Sequence, residues 1–326
     1  MLDLKRLLYL IFGLCLGGGL LWILLAEVSV AEVKQALALI DYTVLGYAMG
    51  CYAIAIALRS LRWKVLLGAI VPAPYRKVLV VLIVGYAVNG LLPARLGEIA
   101  RADLARSMLK LPRSKALGTI ALERAVDGLT VVGLLALGLG ALPAGAQYAK
   151  TLNYVLLAAA ALFAAVAAVL YVLSGRSRSA AEGWLAPVVR RFGQFRDGLQ
   201  ILRSPSMAIA ILLTLPVWAA DSSSVWFVLK AVHVPLHIQQ LMMTVGIVSL
   251  STLLPTAPGF IGTYQLAFVI AVTSFGFSKV QGFAAATTSQ VFILGTHCVI
   301  GITLMLINHV RLSGLFLRKA VTDTRV

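Results

Sequence analysis

Acidic side chains are scarce in this sequence, 12 against 28 lysines and arginines in 326 residues, and charge of either sign makes up only 12% of the chain. An ordinary soluble domain is excluded, because about a quarter of its residues would be charged. With 60% hydrophobic residues, the chain reads as an integral membrane protein. Cysteine is also nearly missing. Cys15, Cys51 and Cys298 lie far apart within apolar runs and form no Cys-x-x-Cys pair, which argues against a disulfide framework or a zinc site and leaves them as small core residues. His233 and His237 are four apart, but Pro235 lies between them and no third ligand is near; they read as exposed loop histidines, and neither metal nor cofactor is expected. The sequence has no His-Glu-x-x-His, Gly-x-Ser-x-Gly, P-loop or Asp-rich metal motif and no sizeable soluble segment, so an enzyme is not expected.

The basic surplus, a formal net charge of +16, sits in short segments between apolar runs. That distribution suits membrane orientation and anionic phospholipid headgroups, and it argues against nucleic acid. Uncharged or nearly uncharged runs long enough to cross a bilayer occur at about residues 7–26, 42–58, 128–149, 151–174, 207–229 and 282–307. The first is read as an uncleaved helix, since it is as long as a full span and Ser29-Val30-Ala31 is a weak cleavage site. Two further apolar stretches, 78–94 and 239–277, are interrupted by Pro and Gly. Basic residues place the N-terminus, the segment after residue 58, residues 95–127, the loop 176–203 and the tail on the cytoplasmic side. By parity, 78–94 dips in from the cytoplasm and returns, while 239–277 does so from outside. The expected fold is thus an all-α polytopic membrane protein with about six full transmembrane helices plus two re-entrant hairpins. Residues 1–310 form a single membrane domain, and 311–326 a basic cytoplasmic tail. Residues 184–203, with apolar residues at helical spacing and arginines elsewhere, read as an interfacial helix.

The two interruptions look paired, because Leu-Leu-Pro at 91–93 recurs at 253–255, an offset of 162 residues. Breaks half a chain apart that enter from opposite sides are the pattern of an inverted repeat with broken helices around a central site. Pro93 and Gly97 in the first, and Pro255, Pro258, Gly259 and Gly262 in the second, would unwind the chain and free amides to face an anion. Arg95, Glu98 and Arg101 are spaced three apart, with Glu98 able to pair with either arginine. The unneutralised one is a receptor for a phosphodiester, or the segment is a solvated helix start obeying the positive-inside rule. Glu123 and Asp127 lie four apart beside Arg124; paired with Arg95 or Arg101 they form either a structural clamp or a gate. Asp221 lies inside an apolar run next to three serines and near Pro216, so it needs a partner or a polar cavity.

Three blocks carry a resemblance: "NGLLPARLGEIARADLA", "SKALGTIALERAVDGLTVV" and "LPTAPGFIGTYQLAFVIAVTSFG". Together they resemble the membrane domain of lysylphosphatidylglycerol synthases, a flippase-like family with many stand-alone members, over nearly the whole chain. The resemblance implies binding and translocation of a membrane lipid, an anionic phospholipid or polyprenyl-phosphate-type lipid, in the cell inner membrane with both termini cytoplasmic. A lipid-modifying enzyme is then a possible partner. The alternative is an accessory subunit or membrane-embedded transferase acting on a lipid-linked substrate of an envelope-lipid, glycolipid or hopanoid pathway. The chain carries no transferase segment, so synthase activity is not implied. At Tyr264-Gln265 it departs from the family pattern, in which an acid follows the glycine-rich turn; a cation- or proton-binding role of that turn is therefore not implied.

Overall fold

A computed structural model of the chain describes residues 4–92, 96–142, 148–175, 186–254 and 257–310. Every regular element among them is helical: α1 Leu4–Glu27, α2 Val30–Ala38, α3 Tyr42–Gly68, α4 Tyr75–Leu91, α5 Leu96–Leu109, α6 Arg113–Leu139, α7 Ala149–Leu173, α8 Ala186–Leu199, α9 Pro205–Ala231, α10 Ile238–Ser251, α11 Thr263–Thr273 and α12 Lys279–Ile307. Local signals set several starts. Asp41 accepts from the backbone N–H groups of Thr43 and Val44 to cap α3. Ser278 and Gln281 form a reciprocal capping box at α12, and Pro205 opens α9 at a position where the missing N–H is no loss.

Among the described residues, α3, α7, α9 and α12 are long and apolar enough to cross a membrane, and α1 joined to α2 across an 88° bend makes a fifth such candidate. The chain is thus an all-α, multi-pass membrane protein. Each of the six expected crossings overlaps a helix, but α3 and α6 run on into the charged segments beside them. The expected span 128–149 is instead α6, which begins directly after Pro112 and ends at Leu139, so Glu123, Arg124 and Asp127 sit mid-helix rather than before it. Likewise α3 continues past Arg59, Arg62 and Lys64 to Gly68. The segment 95–127, expected on the cytoplasmic side, is helical from residue 96 except for a short turn between α5 and α6. The physical reason is shared: Arg59, Arg62, Arg101, Glu123, Arg124 and Asp127 are turned onto counter-ions, which a hydropathy reading cannot see.

Two helical hairpins are present, but the first has other bounds than expected: 78–94 does not turn back on itself but runs as the single helix α4 to Leu91, and the limb packed on it is α5, whereas 239–277 holds both limbs of the second. In the first, α4 and α5 pack on each other through Gly85 and Gly97, where a β-carbon on Gly97 would overlap the Gly85 carbonyl oxygen and crowd Asn89. In the second, α10 is followed by the 3-10 turn Pro258–Phe260 and by α11, which packs back on α10. The expected interfacial helix is α8. It is seated on α6 through Gly118 and Gly198, too close for a β-carbon at either, and its Arg196 donates to the carbonyls of Leu173 and Gly175 at the end of α7.

Two apolar cores stack along the bundle. One gathers Trp63, Leu66 and Leu67 of α3 with Ala116 to Ala125 of α6 and Met207 and Ala210 of α9. The other gathers Val131 and Leu135 of α6 with Val217 and Leu229 of α9 and most of the second hairpin. Along α6 the change from one core to the other falls at Glu123 to Asp127, and along α9 it falls between Ala210 and Val217. A polar layer separates the two.

Candidate functional site

The polar layer is built from four helices. On α6, the i, i+4 spacing of Glu123 and Asp127 turns both carboxylates to one face, where α3 offers Arg62. The Arg62 guanidinium grips Asp127 with two bonds, Nη1 to Oδ1 at 2.6 Å and Nη2 to Oδ2 at 3.0 Å, and reaches Glu123 Oε1 at 3.3 Å. Thr214 of α9 accepts a further bond from Nη1 at 3.0 Å. Glu123 also holds Arg101 of α5 at 2.9 Å and Arg124 at 3.1 Å. Arg124 extends to Asp127 at 3.2 Å and to Glu98 at 3.8 Å. Trp218 Nε1 donates to Asp127 Oδ1 at 3.1 Å. Glu123 has 0% side-chain exposure and Arg62 2%, so the pairing is desolvated, and desolvated charges are stable only when every partner is present.

Beside this network, Arg59 of α3 pairs with Asp221 of α9 at 3.0 Å. That pair lines a cavity of about 290 Å³ together with Arg124, Asp127, Tyr52, Tyr86, His297 and Gln290. Tyr52 Oη and His297 Nε2 lie 2.7 Å apart, while Tyr86 Oη and Arg59 Nε are buried without a hydrogen-bond partner. Other walls are apolar, among them Val131, Phe163 and Val248. Both hairpins reach the cavity. Asn89 and Gly90 come from the first hairpin, and Gly259 and Phe260 from the second. A β-carbon on Gly259 would stand 3.7 Å from the Gly90 carbonyl oxygen, and the side chain of Leu294 on α12 fits against both glycines.

The residues picked out in the sequence fare differently. Glu98, Glu123, Arg124, Asp127 and Asp221 are brought together in or beside the polar layer, and Asp221 is partnered and faces the cavity. Arg101 is 1% exposed, saturates one face of Glu123, stacks 4.3 Å over the Trp63 ring and does not line the cavity. It is thus a structural counter-ion, and Glu98 pairs with Arg124 rather than with Arg101. The Gly97 and Gly262 amides are not free for an anion: Gly97 donates to Asn89 Oδ1 at 2.7 Å and Gly262 to Gln265 Oε1 at 2.8 Å. Pro258 opens the 3-10 turn and lies off the cavity wall. Gly259, at φ 69°, lines the cavity and accepts from Gln290; Gly262, at φ 91°, lies against Gly17 of α1. Pro93, Arg95 and Pro255 lie outside the described residues.

Sequence reasoning missed Arg59 and Arg62, which it took as orienting charges, and passed over Tyr52, Tyr86, Gln290 and His297. A signal did exist. Gln290 and His297 are seven apart in an uncharged run, which places them on one helical face. Gln265, at the place where the family pattern carries an acid, joins Gln290 in an amide relay: Gly262 N–H to Gln265, Gln265 to Gln290, Gln290 to the Gly259 carbonyl. This relay ties the second break to α12.

Comparison with known proteins agrees with this architecture. A glycosyltransferase of Haloferax volcanii, AglD, is 24% identical over 307 residues, a match covering 80% of this chain and 48% of that protein. The chain therefore spans about half the length of the curated relative it matches. The family described as lysylphosphatidylglycerol synthase TM region matches residues 10–301, a stretch holding both hairpins, the charge layer and the cavity. The chain belongs to that family.

Proposed function

We propose that the protein binds the phosphate headgroup of a membrane lipid in the cavity and moves that headgroup between leaflets, in a cell membrane with both termini on the cytoplasmic side. The observation that carries this reading is the cavity itself, polar and charged on the walls formed by α3, α6, α9 and α12 and bounded by the last turn of α4 and the 3-10 turn of the second hairpin. Its size of about 290 Å³ lies at the lower end of small-molecule sites, which run from about 300 to 1,000 Å³. That suits a headgroup whose acyl or prenyl tails stay in the bilayer. Arg59 is the cation best placed to receive phosphate, because it lines the cavity with Asp221 as its single ion partner among the described residues, whereas Arg124 shares three carboxylates, and a planar guanidinium binds phosphate oxygens in pairs.

The name of the relative, a glycosyltransferase, raises the alternative of a transferase. Among the described residues, Glu98, Glu123, Asp127 and Asp221 are each engaged by an arginine, which leaves none of them poised as a general base. This supports transport over group transfer. A lipid-modifying enzyme fits as the supplier or consumer of the lipid.

The test is lipid movement in proteoliposomes with a headgroup-labelled phospholipid. Arg59→Gln removes a charge-assisted contact of about 1.5–3 kcal/mol, a tenfold or greater fall in lipid affinity. Arg59→Lys is expected to lie between it and the wild type. Lipid movement at the wild-type rate in Arg59→Gln would sink the reading. Orientation is tested separately: a cysteine at the exposed Ser107 is expected to react only from the cytoplasmic side.

A further inference from the structure

Among the described residues the charges of the polar layer balance. Arg59, Arg62, Arg101 and Arg124 face Glu98, Glu123, Asp127 and Asp221, four against four, and every one of them is in an ion pair. Arg124 shares three carboxylates and Arg62 two. By contrast, Arg59 and Asp221 are each other's single ion partner among the described residues, with side chains 16% and 20% exposed, and both line the cavity. This is the one pair that a ligand can open without dismantling the rest.

Opening it has a consequence for charge. An anion that takes Arg59 leaves the Asp221 carboxylate unpaired in a site largely removed from water, and removing one side of such a pair carries a heavy penalty. Among the described residues no uncommitted fixed cation stands nearby to neutralise it. The charged or titratable groups on the surrounding cavity wall are Tyr52 of α3, Tyr86 of α4, Arg124 and Asp127 of α6, Tyr264 of α11 and His297 of α12, while α10 supplies only Ser249 and apolar residues to that wall. Arg124 is already committed to its three acids, and an anion adds no cation of its own.

From this geometry we infer that a phosphate enters at Arg59 only together with a positive charge at Asp221, so that the site loads electroneutrally. The inference rests on the lipid-binding reading above. The positive charge has two sources: a proton from water, which forms an O–H bond on the Asp221 carboxylate as the ion pair to Arg59 breaks, or an ammonium carried by the headgroup itself. For a purely anionic lipid the first source operates and binding is coupled to proton uptake. For a headgroup bearing both phosphate and amine the second does, and no proton is needed.

The experiment uses the full chain in a non-ionic detergent with two short-chain probes, dihexanoyl phosphatidylglycerol and dihexanoyl phosphatidylethanolamine. Proton uptake is read from calorimetry in buffers of different ionisation heat. Linkage predicts about one proton taken up per phosphatidylglycerol bound, an affinity that falls up to about tenfold per pH unit once the acid is ionised, and neither effect for phosphatidylethanolamine. Asp221→Asn removes the carboxylate, so it is expected to bind phosphatidylglycerol with no proton uptake. Binding of phosphatidylglycerol to the wild type without a proton overturns the inference. Proton uptake that persists in Asp221→Asn and vanishes in His297→Gln overturns the assignment to Asp221. If both lipids bind by these rules but neither is moved in proteoliposomes, translocation fails and the charge rule stands. If neither binds, both fall.

Discussion

Glu123 is the keystone of the charge layer, and its loss should be felt unequally by its three arginines. Arg62 keeps Asp127 at 2.6 Å and Arg124 keeps Asp127 and Glu98. Arg101 keeps no acid among the described residues, because Glu123 is its single ion partner there, and its Nε and Nη1 already lack hydrogen-bond partners. Glu123→Gln thus strands one buried guanidinium, a change that costs about 3–5 kcal/mol. Melting shifts of roughly 2–4 °C per kcal/mol hold for chains of 150–250 residues, so the shallow end suits this longer chain and gives a fall of about 6–10 °C. The assay is thermal unfolding of the purified protein in detergent, followed by tryptophan emission. A second variant isolates the cause. Arg101→Met removes the stranded charge while keeping much of the side-chain volume over Trp63, so Glu123→Gln/Arg101→Met is expected to melt higher than Glu123→Gln alone. A Glu123→Gln protein that melts within 2 °C of the wild type, or a double variant no better than the single, would refute the reasoning.

Asp127→Asn is expected to be milder, about 1.5–3 kcal/mol, since Arg62 retains Glu123 and Thr214 while Arg124 retains Glu123 and Glu98; the same melt checks the order of the two variants. Gly97→Ala should lower stability by about 1–3 kcal/mol by forcing α4 and α5 apart, with thermal unfolding as the check. Leu294→Ala is expected to loosen the seam between Gly90 and Gly259. In a chain lacking Cys15, Cys51 and Cys298, faster maleimide labelling of Asn89→Cys would report the loosening, and an unchanged rate would count against Leu294 as the closure.

What could be read in the sequence was whatever a single helix records about itself. Pro93, Pro255 and Pro258 announced both breaks, and the i, i+4 spacing of Glu123 and Asp127 announced a shared face. Hydropathy misplaced the start of α6 because it counts an ion-paired arginine as if it were exposed, whereas Pro112 marks the true beginning. The pairing itself was not legible. Arg62 lies 61 and 65 residues from Glu123 and Asp127, and nothing local to α3 distinguishes an arginine that orients a helix from one that neutralises an acid on another. Only the pairing of Arg101 with Glu123 was among those expected; Glu98, expected to pair with Arg95 or Arg101, faces Arg124 instead. Gly97 and Gly262 were read as amide donors from composition, and only their neighbours Asn89 and Gln265 show those amides to be occupied.

The way the charge layer is distributed along the chain also sets an order of assembly. During synthesis α3 emerges with Arg59 and Arg62 before any of their acids exists, and an arginine within a span raises the cost of insertion, up to about 2.5–3.5 kcal/mol at the span's centre. Arg62 gains its counter-ions only when α6 follows, and Arg59 waits further, for Asp221 on α9, the helix against which α3 packs most extensively. Arrival of α9 is therefore the step at which the last of these arginines is neutralised. A nascent chain stopped short of it presents a bare guanidinium to the bilayer interior, so that finished and unfinished copies differ in a physical property the membrane itself can sort.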